Sequence, residues 1–152
     1  MSEKMSELSR AVTTQEVPNL DSIELLFFAY RDFVSDPDKV LLEMGFGRAH
    51  HRVLYFVSTR PGMTVAELLD ILKITKQSLA RVLRQLLDGG LVMQIAGDQD
   101  RRKRLLYATD EGRSLLLQLS NPQSKRMDRA FNALSDEERD TVLRFLKGMI
   151  TE

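Results

Sequence analysis

Residues 75–88, TKQSLARVLRQLLD, carry the side chains with the most chemistry to offer. Set on a helix at about 100° per residue, Gln77, Ser78, Arg81, Arg84 and Gln85 fall on one side. Guanidinium, amide and hydroxyl groups in such an array are the donors and acceptors that read base edges and grip phosphate oxygens. Thr75, Lys76 and Ser78 lie at the amino end, where free N–H groups favour an anion. Leu79, Val82, Leu83, Leu86 and Leu87 form the opposite, apolar stripe that a core requires. Thr75 is a suitable N-cap, and Gly89-Gly90 can end the helix in a left-handed turn. A merely solvated charged helix would have the same composition, so the neighbouring elements must decide.

A second basic cluster follows, Arg101, Arg102, Lys103 and Arg104, just after Asp100. The formal net charge of the 152-residue chain is zero, which taken alone argues against a polyanionic partner. The balance is uneven, however. Residues 73–104 hold eight basic and three acidic side chains, so this segment is +5 and the remainder −5. A locally basic face on a neutral protein suits an anionic partner met in one orientation.

The elements needed to position these groups can be read on either side. Residues 1–18 are polar and read as a loose tail. Asp21 opens a helix with Ile23, Leu26, Phe27 and Tyr30 on one stripe, widened by Leu25, Phe28 and Phe33. Asp36-Pro37 reads as the start of a further short helix, closed by Gly45. Residues 48–60 form the next helix, stopped by Pro61-Gly62. Thr64-Val65-Ala66-Glu67 is a capping box that opens another. Only Lys73-Ile74 separates its end from Thr75, the short connection of a helix-turn-helix.

After Gly90 the period changes. LVMQIA and RLLYAT are β-favouring runs joined by the polar GDQDRRK, a hairpin with a basic tip. Thr109 then caps a helix through Leu115, Leu116 and Leu119, which Ser120-Asn121-Pro122 kinks or restarts. Ser135 begins the last helix, with Val142, Phe145, Leu146 and Met149 on one face. The fold class is therefore mainly α with a small β-hairpin wing, a winged helix-turn-helix with helices to either side.

Residues 48–113 resemble the MarR family of bacterial transcription regulators. The phrase ITKQSLARVLRQLLDGGLV resembles that family's recognition helix and wing entry. Asp100-Arg101-Arg102 followed by Ala108-Thr109-Asp110-Glu111-Gly112 resembles its wing signature, with Ala108 where leucine is usual. The resemblance implies a homodimer built by the flanking helices, with residues 1–18 a tail, 19–46 and 113–152 dimerisation helices, and 47–112 the DNA-binding domain. It implies recognition helices in successive major grooves of a double-stranded, pseudo-palindromic operator. It gives Arg102 the role of entering the minor groove, with Asp100 orienting its guanidinium and Arg101, Lys103 and Arg104 on phosphates. Repression is the expected mode, because a dimer on a promoter blocks it by default. The family commonly releases DNA on binding a small aromatic or phenolic effector, for which Phe46, His51, Arg52 and Tyr55 are the candidates.

Other classes find less support. Without cysteine there is no disulfide, thiolate metal site or cysteine nucleophile. His50 and His51 point about 100° apart on a helix and cannot share one ion, so no metal or cofactor is expected. No nucleophile motif or phosphate-binding glycine loop suggests an enzyme. The amino terminus has no apolar h-region, and a cytoplasmic protein is expected. The rival reading is a winged-helix protein-interaction module without DNA binding, for which the basic wing would have no use.

Overall fold

A computed structural model describes residues 2–151, and the chain divides after Ser35 into two compact units. The first holds α1 (Glu3–Leu8) and the opening turns of α2 (Leu20–Glu43). The Ser2 hydroxyl caps α1 by accepting from the Met5 amide, so the segment expected to be a loose tail contains a short helix, exposed throughout. In α2, Ile23, Leu25, Leu26, Phe27, Phe28 and Tyr30 are all exposed.

The second unit begins within α2. The break expected at Asp36-Pro37 is absent, and the helix runs through Pro37. Proline in a helix forfeits one backbone bond. Here its ring is fully buried, and that burial offsets part of the loss. Gly45, at φ +73°, turns the chain into α3 (Arg48–Thr59). A two-residue strand β1 (Met63–Thr64) precedes α4 (Val65–Leu72), whose capping box forms as expected: Thr64 Oγ1 accepts from the Glu67 amide and Glu67 from that of Thr64, each at 3.2 Å.

Lys73, in the left-handed region at φ +52°, makes the tight corner into α5 (Lys76–Asp88). The hairpin of β2 (Val92–Ala96) and β3 (Arg104–Ala108) follows, then α6 (Asp110–Phe131) and α7 (Asp136–Met149). Thr109 and Ser135 cap these last two helices through their hydroxyls. As with Pro37, the helix continues past Pro122.

The sheet has three antiparallel strands in the order β1-β3-β2, with Met63 opposite Leu106. The third strand is invisible to periodicity because two residues contain no period, and its partner lies far along the chain. The core draws Leu54 from α3, Leu68 from α4, Leu79 and Leu86 from α5, Leu106 from β3 and Leu119 from α6. Each is essentially inaccessible to solvent, and burying one such leucine stabilises the fold by about 1.5–3 kcal/mol. Among the described residues no charged side chain joins this core.

Candidate nucleic-acid interface

The apolar stripe on α5 fixes which way its other face points. Leu79, Val82, Leu83 and Leu86 are buried, so Lys76, Gln77, Ser78, Arg81, Arg84 and Gln85 are left exposed. Thr75 Oγ1 accepts from the Ser78 amide at 3.1 Å and lies 2.9 Å from Ser78 Oγ, to which it donates. The cap thereby satisfies one of the orphan amides of the first turn and leaves others for an anion. Among the described residues no ion pair holds Lys76, Arg81 or Arg84. Two guanidinium groups stand unneutralised on one helix face.

Gln85 differs from its neighbours on this face. Its Oε1 is 2.6 Å from His50 Nε2 on α3, so its carbonyl is engaged within the protein.

Only Gly89, Gly90 and Leu91 join α5 to β2, which holds helix and wing close together. Gly90 takes φ +70°, the left-handed turn expected of the glycine pair. The wing tip is closed by backbone bonds from the Gly97 amide to the Lys103 carbonyl and from the Lys103 amide to the Asp100 carbonyl. Gly97 is required there, since a Cβ would lie 2.8 Å from the Asp100 carbonyl oxygen. Asp100 Oδ1 accepts from the Arg102 backbone amide at 3.0 Å. It shapes the turn and does not grip the Arg102 guanidinium as expected, because a short aspartate reaches a backbone two residues on more readily. Arg101, Arg102, Lys103 and Arg104 are exposed, and among the described residues none is in an ion pair.

The base of the wing is stitched to α6. The Thr109 amide donates to the Leu91 carbonyl at 3.1 Å, and its hydroxyl, the α6 cap, donates to the Gly90 carbonyl at 2.6 Å. Gly112 lies against Leu91 so closely that no side chain fits. Thr109 and Gly112 therefore have a structural role within the wing signature.

The candidate effector residues are dispersed in their contacts. Phe46 stacks on His50 with ring centroids 4.5 Å apart, and Tyr55 packs edge-on against Phe56. His51 and Tyr55 lie one turn apart on α3; burial, aided by the Arg52 charge and opposed by Asp38, lowers the His51 pKa below 6.5. A separate hollow of about 600 Å³ lies between α4, α5 and β2, its wall formed by Val65, Leu69, Leu83 and Leu87. Lys76 and Arg84 also line it, with the carboxylate of Asp88 beside them, a set no sequence pattern had assembled. Among the described residues there is no group of three or more potential metal ligands and no helix long and apolar enough to cross a membrane.

The MarR family model matches residues 44–103. The HTH-type transcriptional regulator PetP of Rhodobacter capsulatus is 49% identical over 128 residues, spanning 84% of this chain and 77% of PetP. The chain belongs to the MarR family. It is therefore a transcriptional regulator, of a non-enzymatic, DNA-binding class.

The fold is shared with solved members. A MarR-family regulator from Silicibacter pomeroyi superposes with a TM-score of 0.71 at 23% identity, covering 92% of this chain and 94% of that one. The transcriptional repressor CouR, bound to a 23-mer DNA duplex, gives a TM-score of 0.67 at 24% identity over 92% of this chain and 99% of its own.

Proposed function

We propose that this MarR-family chain is a cytoplasmic, homodimeric, sequence-specific DNA-binding repressor, with α5 in the major groove and the wing, about residues 97–104, in the minor groove. The observation that carries this reading is the set of exposed cations without an ion-pair partner, Arg81 and Arg84 on α5 with Arg101 to Arg104 on the wing. Gln77 and Arg81 suit base edges, while Thr75, Lys76 and Ser78 suit the phosphates at the helix amino end. Arg102 at the tip suits a narrow minor groove, where negative potential concentrates. The repressor CouR, which shares the fold, is bound to a 23-mer DNA duplex, and that supports DNA binding as such.

Dimerisation rests on exposed apolar side chains. Ile23, Leu26, Phe27 and Tyr30 on α2 and Phe145, Leu146 and Met149 on α7 repeat at helical spacing and are 41–70% exposed. Apolar stripes of this extent mark an association surface. Two-fold pairing would set two α5 helices about one DNA turn apart, matching a pseudo-palindrome. For the effector, the hollow beside α5 offers apolar walls with Lys76 and Arg84 at hand. A small aromatic acid there would draw on Lys76 or Arg84 and compete with phosphate for that cation; the Phe46, His51, Arg52 and Tyr55 region is the alternative location.

The test begins with a duplex selected by the protein from a random-sequence pool. Binding to it should exceed binding to random DNA and weaken steeply with salt. Neutralising about six phosphates would cost on the order of 10³-fold in affinity between about 50 and about 200 mM salt. Sedimentation should give a dimer. Recovery of no preferred duplex would reject sequence-specific binding and favour a protein-docking role.

A further inference from the structure

His50 sits in the first turn of α3, three residues after Gly47, and its ring is used on three sides. Nδ1 accepts from the Gly47 backbone amide at 3.0 Å. Gly47 has no side chain to reciprocate, so this is half a capping box. With Nδ1 an acceptor, a neutral imidazole carries its proton on Nε2. That proton is directed to Gln85 Oε1, 2.6 Å away. Phe46 stacks on the ring with an interplanar angle of 12° and limits its rotation. Gln85 lies one turn beyond Arg81 and two beyond Gln77, on the same ridge of α5. The far end of the ridge that faces DNA is thus tied to the turn that starts α3.

We propose that His50 is a specificity-determining positioning residue: the buried stripe sets which face of α5 points outward, and the tie to Gln85 narrows the small roll of the helix that this packing still allows. Gln77 and Arg81 then meet base edges in one register, and Gln85 itself reads no base. The inference rests on the DNA-binding reading above. Its physical basis is the different demands of two binding modes. Phosphate attraction is long-ranged and tolerates a helix that rolls, whereas bidentate contacts to bases require a fixed orientation. Removing the tie should therefore reduce selectivity without reducing general affinity for DNA.

The experiment is a double-mutant cycle with His50→Ala, Gln85→Ala and the pair, on the selected duplex and on random DNA. Loss of one net hydrogen bond corresponds to about a fivefold change in affinity. Each single variant should bind the selected duplex about fivefold more weakly, bind random DNA unchanged and keep its salt slope; the double variant should be no worse than either single one. Gln85 is exposed, so Gln85→Ala tests the tie without threatening the fold. Additive losses, or loss of preference at one base pair with Gln85→Ala alone, would overturn the proposal by showing that Gln85 reads DNA. A wild-type protein without any preferred duplex would instead refute the sequence-specific reading on which the inference rests. In that case the ¹⁵N spectrum of the imidazole still tests the tie: a proton on Nδ1 would refute it.

Discussion

Replacing Gly112 by alanine tests how closely α6 approaches the start of the wing. A Cβ at this position would lie 2.9 Å from the Leu91 carbonyl carbon and closer still to its oxygen, with Leu54 Cδ1 at 3.4 Å. The nearest obstacle is backbone, which cannot change rotamer. The amino end of α6 must retreat from Leu91, and the Thr109 bonds to the Leu91 and Gly90 carbonyls stretch with it. Overpacking costs about 1–3 kcal/mol, and two weakened hydrogen bonds about 0.5–1.5 kcal/mol each. The better helix propensity of alanine returns about 1 kcal/mol. The net effect is a destabilisation of about 3 kcal/mol. For a chain of this size that lowers Tm by roughly 6–12 °C. Urea unfolding at a fixed protein concentration should show a lower midpoint with an unchanged slope. The sign is decisive: at an open helical site the same change would stabilise by up to about 1 kcal/mol, and an equal or raised midpoint would refute the close approach.

Two further outcomes follow from the interface and from α3. Arg102→Ala should cost about 1–3 kcal/mol in affinity for the selected duplex while leaving the unfolding midpoint unchanged; an unaltered binding isotherm would remove the wing tip from the interface. The lowered pKa of His51 means that the unfolded chain takes up the proton first as pH falls. Its contribution to stability is complete above about pH 6.5 and declines as pH drops through 6.5 toward the lowered folded value. His51→Gln should flatten that part of the stability profile, and an identical slope in both proteins would refute the assignment.

Much of the fold was legible because its signals are local. Thr64, Thr75, Thr109 and Ser135 each reach a backbone amide three residues on, a distance that sequence spacing specifies directly. The α5 stripe likewise announces its buried face, and its complement gives the exposed Gln77, Arg81 and Arg84. Breaker signals were less dependable. Pro37 suggested a new helix start and Pro122 a kink or restart, yet each lies inside one continuous helix, because packing of the whole helix outweighs one absent backbone bond.

From residue 48 onward the sequence by itself determined the order of the helices and the hairpin, the caps at Thr64, Thr75, Thr109 and Ser135, and the face of α5 that must remain in water, since these depend on residues within about one or two turns of each other. Tertiary structure alone decided what those residues meet across the chain. It paired Met63 with Leu106 in a third strand, brought Leu91 against Gly112, turned Asp100 onto the Arg102 amide, and gave Gln85 to His50. A periodic pattern records only whether a side chain faces inward or outward. Which partner it finds there depends on how the helices and strands pack, and no local spacing encodes that.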